Sequence, residues 1–268
     1  MLAVSETITV AAQIGALTVW SDSARVAQVR ADLPNPARPR IAGRRVYWGP
    51  YAVDLDLGTH RGLVPTHVTL PGYEQTAHAW APDGHAAVVA GRWTGPPGPS
   101  PAVVALLDAE GERLAVLWEA ADLAPVALWF GEAEIVIGTR DPRVFDRAGR
   151  PLRTLPAATP PFRIEADSAG ARVLVAEHAQ LAVWDLASGE ALARRGGTWV
   201  DAALTPDGTR VVAVDFSGRL HVHRVSPDLP VAARVPADAP ALTVAATDHR
   251  LVAAFTRLPA VRTAPLAR

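Results

Sequence analysis

Short runs of apolar, mostly β-branched residues recur along the chain, and each follows a turn of small and polar residues. The three plainest runs are Ala86–Ala90, Arg172–Ala176 and Arg210–Val214. They follow turns that end in Asp83-Gly84, Ala169-Gly170 and Asp207-Gly208. Weaker copies of the pattern begin at Ser5, Gly43, Gly131 and Asp248. Neighbouring copies are 38 to 47 residues apart, which indicates an internal repeat with a period near 40.

The copy that runs from Trp199 to Ala237 shows how many strands one repeat holds. Its apolar and alternating segments predict four strands: Val200–Leu204, Arg210–Val214, Leu220–His223 and Val231–Val235. The segment Thr205-Pro206-Asp207-Gly208 is a turn, because Pro presets its own φ and Gly accepts a positive φ. Four short strands in a period of this length are typical of a β-propeller. We therefore predict an all-β, single closed β-propeller with four-stranded antiparallel blades.

The number of repeats sets the number of blades. Seven copies predict seven blades in a single domain that spans residues 1–268. The approximate repeat units are 1–35, 36–73, 74–122, 123–159, 160–197, 198–238 and 239–268. The alternative is six blades, because the last unit lacks a segment for a fourth strand. In that case the segment 241–247 would complete the first blade.

Three segments match the signature positions of a known repeat family. Trp184-Asp185-Leu186-Ala187-Ser188-Gly189-Glu190 resembles the third-strand signature of WD40 repeats. Ala81-Pro82-Asp83-Gly84 and Thr205-Pro206-Asp207-Gly208 resemble the turn between the first and second strands of those repeats. The chain thus resembles a WD40-like propeller of bacteria, and this resemblance implies a binding platform.

The composition limits the chemistry that the chain can perform. It contains no Cys, and all 26 basic residues are Arg. Thiol nucleophiles, thiolate metal sites and lysine Schiff bases are therefore excluded. The formal net charge is −1, so no general field attracts nucleic acid or an anionic membrane, and we predict neither as a partner. The segment Met1–Glu6 lacks the features of a secretory signal, so we expect a cytoplasmic location.

Strand positions that face the predicted channel carry the first group of candidate residues. Arg163 and Asp201 are equivalent when the repeats are aligned on the turn Gly, and Glu165 follows two residues later on the same face. These residues and His78 could form a polar site for a small ligand or an acid–base pair at the channel mouth. The other interpretation is an ion-paired channel wall that contributes little to stability.

The Pro-rich segment 91–101 provides the second candidate site. It lengthens one repeat, and Pro cannot donate to a β-ladder, so we predict a protruding loop between the second and third strands. Arg92 and Trp93 are residue types that often anchor interfaces. Trp93 could instead fold back onto its own blade.

His221 and His223 are two residues apart on a predicted strand, so they share one face and could bind a metal. A third ligand is not visible in the sequence, and packing between blades is the interpretation that we favour. We therefore predict no metal, no cofactor and no catalytic residue.

Two hypotheses for function remain open. The first, which we favour, is a non-catalytic scaffold that binds another protein or a peptide. The alternative is a propeller enzyme, or a binder of a small ligand or metal, with a lactonase-like or lyase-like site at the channel mouth. The alternative requires His78, Arg163, Glu165 and Asp201 to lie close together.

Overall fold

The computed structural model consists of strands and turns, and no helix occurs in the part of the chain that it describes. The described residues are 2–4, 8–13, 16–21, 24–30, 39–42, 45–54, 66–95, 101–121, 125–235, 241–255 and 261–266. The repeat starts predicted at Ser5 and Gly43 lie outside these ranges, as do residues 96–100 of the Pro-rich segment. The described strands form seven antiparallel sheets, I to VII in chain order.

The first four sheets each contain four strands. Sheet I comprises β1 (Leu2–Val4), β2 (Ile8–Gln13), β3 (Ala16–Ser21) and β4 (Ala24–Arg30). Sheet II comprises β5 (Pro39–Ala42), β6 (Arg45–Trp48), β7 (Tyr51–Asp54) and β8 (Thr66–His67). Sheet III comprises β9 (Tyr73–Trp80), β10 (Ala86–Trp93), β11 (Ala102–Asp108) and β12 (Arg113–Ala120). Sheet IV comprises β13 (Leu128–Phe130), β14 (Glu134–Ile137), β15 (Arg143–Asp146) and β16 (Pro151–Thr154).

The last three sheets follow the same order of strands. Sheet V comprises β17 (Arg163–Ala166), β18 (Arg172–Ala176), β19 (Gln180–Asp185) and β20 (Ala191–Gly196). Sheet VI comprises β21 (Trp199–Leu204), β22 (Arg210–Asp215), β23 (Leu220–Arg224) and β24 (Val231–Val235). Sheet VII comprises β25 (Ala241–Ala246), β26 (Arg250–Phe255) and β27 (Val261–Pro265).

The first strands of most neighbouring sheets contact one another. Such contacts join β9 to β13, β13 to β17, β17 to β21 and β21 to β25. The first strand β1 contacts both β5 and β25, so the first and last sheets are also neighbours. These contacts between consecutive sheets are those expected of a β-propeller.

The core consists of apolar layers between neighbouring sheets, and β18 shows how one strand serves two of them. Val173 and Val175 pack into the layer between sheets IV and V. Leu174 packs on the other face of the strand, in the layer between sheets V and VI. All three side chains are fully buried. Because successive side chains point to opposite faces, a strand that is buried on both faces is a continuous apolar run.

Asp and Gly shape the turns, as the sequence predicted. At the end of β15, Asp146 Oδ1 accepts hydrogen bonds from the backbone N–H groups of Ala148 and Arg150, at 3.0 and 2.8 Å. Gly149 then has a φ of 83°. Asp108, Asp185 and Asp215 cap their turns in the same way. These short local bonds explain why turns could be recognised without knowledge of the tertiary structure.

The loop predicted at 91–101 begins later than the sequence suggested. Gly91, Arg92 and Trp93 still belong to β10, with an irregularity in the pairing with β9 between Ala90 and Gly91. A Cβ atom at position 91 would lie only 2.8 Å from the Cβ of Tyr73. Glycine thus allows the two strands to approach closely enough for the ladder to continue to Trp93.

The last sheet bears on the alternative with six blades. In that alternative, the segment 241–247 would complete the first blade. In the structure, β25 pairs with β26 in a sheet of its own, and it touches sheet I only as a neighbour. No fourth strand of sheet VII is present among the described residues, which agrees with the missing segment noted in the sequence.

Two turn glycines give a test of the contacts between sheets. Gly208 and Gly111 have φ values of 67° and 89°, so Ala at either position introduces backbone strain of about 1–2 kcal/mol. A Cβ at 208 would also lie 2.8 Å from Asp167 Oδ2 of sheet V, whereas nothing lies within 4 Å of a Cβ at 111. We expect Gly208→Ala to destabilise the protein more than Gly111→Ala in urea unfolding. Equal losses would contradict a close contact between sheets V and VI at this turn.

Candidate functional site

A cavity of about 530 Å³ lies among the first strands. Its lining includes residues of the first strands of sheets II to VII and of the turns that follow them. We call this end of the sheets the first-turn side. The opposite end, where each second strand turns into the third, is the second-turn side. The cavity therefore lies on the first-turn side of the predicted central channel.

Arg163 and Asp201 form a buried ion pair beside this cavity. Arg163 Nη1 donates to Asp201 Oδ1 at 3.0 Å, and the two side chains are only 6% and 8% exposed. Asp201 Oδ2 also accepts from Thr243 Oγ1 at 2.6 Å and from the backbone N–H of Val244 at 2.9 Å. The pair therefore joins sheets V, VI and VII. It is not the solvated channel wall that we considered from the sequence.

Glu165 extends this network towards the cavity. Its Oε2 accepts hydrogen bonds from Arg163 Nη2 and, at 3.4 Å, from the backbone N–H of Leu204. The Glu165 side chain is 34% exposed, and it lines the cavity. Arg163 is thus held by two carboxylates, of which only Glu165 reaches the open space.

The structure adds Arg40 to the site, which the sequence had not indicated. Arg40 lies on β5, and its Nη1 donates to the carbonyl oxygens of Trp80 at 3.2 Å and Phe130 at 2.7 Å. Burial lowers the pKa of Arg40, while the charge of Glu165 raises it. Repeat alignment missed Arg40 because its repeat unit, 36–73, contains one of the weaker copies of the pattern, the copy that begins at Gly43.

His78 lines the same cavity from β9, and its Nε2 is hydrogen-bonded to Gln75 Oε1. Of the four residues named for the channel mouth, Arg163, Glu165 and Asp201 share one hydrogen-bond network. His78 lines the same cavity.

Arg92 and Trp93 lie at the other end of sheet III, on the second-turn side. Arg92 is exposed. The Trp93 ring packs edge-on against Tyr73 of β9, with ring centroids 5.3 Å apart. Trp93 therefore folds back onto its own sheet, which was one of the two interpretations left open from the sequence.

A second aromatic cluster, also unnoticed in the sequence, occupies the same side of sheets V and VI. Phe216, in the turn after β22, is 64% exposed. Its ring centroid lies 5.9 Å from that of His178, which in turn lies 4.8 Å from that of Phe162. An aromatic residue at the tip of the turn Asp215-Phe216-Ser217-Gly218 was the sequence signal that could have revealed this cluster.

His221 and His223 pack against Trp199. Both imidazoles stand nearly perpendicular to the indole ring, at 5.7 and 5.5 Å between centroids. His221 Nε2 is bonded to Asp215 Oδ2 at 2.8 Å. Partial burial raises the pKa of Asp215, but hydrogen bonds from Ser217, His221 and Arg219 outweigh it and lower that pKa to about 2. Within the described ranges, no three His, Asp or Glu residues are grouped to hold a metal.

Comparison with known proteins supports the fold and leaves the function open. No protein-family model matches the sequence, and no curated protein gives a significant match. Many solved structures do match. One is the β-propeller domain of Cps50 (Swd1) from Myceliophteria thermophila, with a TM-score of 0.73 and 12% identity over 98% of this chain and 97% of that one. The chain is therefore a β-propeller in fold, and the prediction of a WD40-like propeller is confirmed at that level. In the part of the chain that the structure describes, there is no helix that could cross a membrane.

The Arg163–Asp201 pair gives a prediction for stability. Asp201→Ala removes a carboxylate that binds groups from three sheets, so we expect a loss of about 3–5 kcal/mol, as for other buried pairs that lose one partner. Arg150→Ala is the matched control, because it breaks the exposed pair of Arg150 and Asp146 and should change the unfolding free energy little. A small effect of Asp201→Ala would show that the network does not join the sheets.

His223 gives a prediction for the pH dependence of stability. The side chain is fully buried, and burial lowers its pKa from the ordinary value of 6.5. The unfolded chain therefore takes up a proton at a higher pH than the folded protein. The contribution of His223 to stability is complete above about pH 6.5 and is lost as the pH falls below that value.

The variant His223→Asn tests this coupling. The Asn amide can still donate to the carbonyl oxygen of Leu229, as Nδ1 of His223 does now, but it does not titrate. Urea unfolding at about pH 7 and pH 5.5 should show a smaller loss of stability for the variant than for the native chain. The same loss in both proteins would mean that other groups carry the pH dependence.

Proposed function

We propose that this chain is a non-catalytic, WD40-like propeller that binds another protein or a peptide on its second-turn side. In this proposal the seven sheets are the blades of one closed ring, in a single domain over 1–268 with the repeat units given by the sequence. The contacts between consecutive first strands, and the contact of β1 with β25, support the ring.

The observation that carries the proposed function is the exposed cluster of Phe216, His178 and Phe162. Aromatic rings supply large contact areas at low cost in conformational entropy, and they dominate the energy of many interfaces. Phe216 is mostly exposed, although its ring lies close to that of His178, which in turn packs on Phe162. A partner that covered Phe216 would bury apolar surface that is exposed in the chain alone.

Arg92 lies on the same side of the propeller and extends the proposed surface to sheet III. Exposed Arg is a frequent interface residue because its planar guanidinium combines hydrogen bonding with stacking. The packing of Trp93 on Tyr73 holds the end of β10 against β9, which presents Arg92 on an ordered strand. In this proposal Trp93 stabilises the strand, and the exposed Arg92 is the residue that would contact a partner.

The partner and the location are the remaining parts of the proposal. The balanced formal charge of −1 favours a protein or peptide over nucleic acid, because a nucleic-acid binder needs a basic surface. A cytoplasmic location stays a prediction from the sequence alone.

Copurification tests the surface directly. Phe216→Ser and Arg92→Ser should each reduce recovery of the same partner from source cells, by about tenfold for Phe216 if it is an interface anchor. Leu152→Ser is the matched control, because Leu152 is an exposed apolar residue on the outer strand β16. Equal recovery with Phe216→Ser and with the native chain would refute the proposed surface.

A further inference from the structure

We propose that the cavity on the first-turn side binds a small organic carboxylate, and that Arg40 binds its carboxylate group. This site lies at the opposite end of the sheets from the proposed protein-binding surface and does not depend on it. The proposal rests on the incomplete hydrogen bonding of Arg40, on the charges around it and on the cavity walls.

Arg40 is held in place by one end of its guanidinium. Nη1 donates to the carbonyl oxygens of Trp80 and Phe130, on the first strands of two successive sheets. The Nε and Nη2 groups make no hydrogen bond to any residue that the structure describes, although Arg40 lines the cavity. A guanidinium carries five N–H donors in a fixed plane. Arg40 therefore presents, at the cavity wall, two donor groups that no described residue uses.

No carboxylate among the described residues forms an ion pair with Arg40. Glu165 and Asp201 both bind Arg163. Burial nevertheless makes the charged form of Arg40 costly, and the more distant Glu165 only partly offsets this effect. An anion in direct contact with Arg40 would compensate the buried charge.

The shape and walls of the cavity indicate which anion fits. A planar guanidinium edge matches the two oxygens of one carboxylate. Ile41, Leu128 and Ala245 add apolar walls, and about 530 Å³ is within the range of small-ligand sites. Glu132 and Asp167 also line the cavity, and their charges oppose a ligand with several negative charges, such as a polyphosphate. The site thus fits one carboxylate on an apolar body.

The first experiment compares phenylacetate with its neutral isostere phenylacetamide, in ligand-observed NMR at millimolar concentrations with the full chain. We expect the acid to bind and the amide to bind at least about tenfold more weakly, since a hydrogen-bonded charge is lost. Arg40→Gln should weaken binding of phenylacetate by a similar factor. Arg219→Gln, at an exposed position on the second-turn side, should leave it unchanged.

A second variant tests the role of charge by a change that should strengthen binding. Glu165→Gln keeps an acceptor for Arg163 but removes the negative charge near Arg40, so it should strengthen phenylacetate binding several-fold. This variant decides the question if Arg40→Gln fails to fold. No binding of phenylacetate to the native chain, equal binding of acid and amide, or unchanged affinity in Glu165→Gln would each overturn the proposal.

Discussion

Every sheet of this protein must be covered on two faces, and the rest of the structure depends on that constraint. The apolar run of β18 sends Val173 and Val175 into one layer and Leu174 into the next. A single sheet of this kind has no stable solvated form, because both of its faces would expose apolar surface. A sheet with two apolar faces is therefore stabilised by a neighbour on each side, as sheet V is by sheets IV and VI.

The same arrangement accounts for the position of the polar groups. The layers between the sheets are apolar, so charged side chains lie at the ends of the sheets, on the first strands and on the outer strands, as at Arg194 of β20. The buried Arg163 and Asp201 are paired with each other, and Asp201 also binds a backbone group of the next sheet. Arg40 differs, because it is held by carbonyl oxygens alone and keeps donors directed to no described residue.

The sequence predicted what is local and missed what depends on distant neighbours. The turn at Asp207 was recognisable because its hydrogen bonds join residues a few positions apart. Arg163 and Asp201 could be matched because they occupy equivalent positions in similar repeats. Arg40 could not be predicted, because the two carbonyl oxygens that hold its side chain belong to residues 40 and 90 positions away in the sequence. The position of Trp93 likewise depends on a distant residue, because its ring packs on Tyr73. The two residues are paired because β9 and β10 continue past the irregularity between Ala90 and Gly91.

The contact of β1 with β25 has a consequence for how the fold is lost. In an open stack of repeats, the terminal units have one free side and can fray first. Here the first and last sheets are neighbours, and Ala245 and Val252 of sheet VII pack with Ala11 of sheet I. In the closed ring that we propose, separation of any one sheet would expose the apolar faces of two others. Unfolding would then have no preferred starting point, and the sheets would unfold cooperatively.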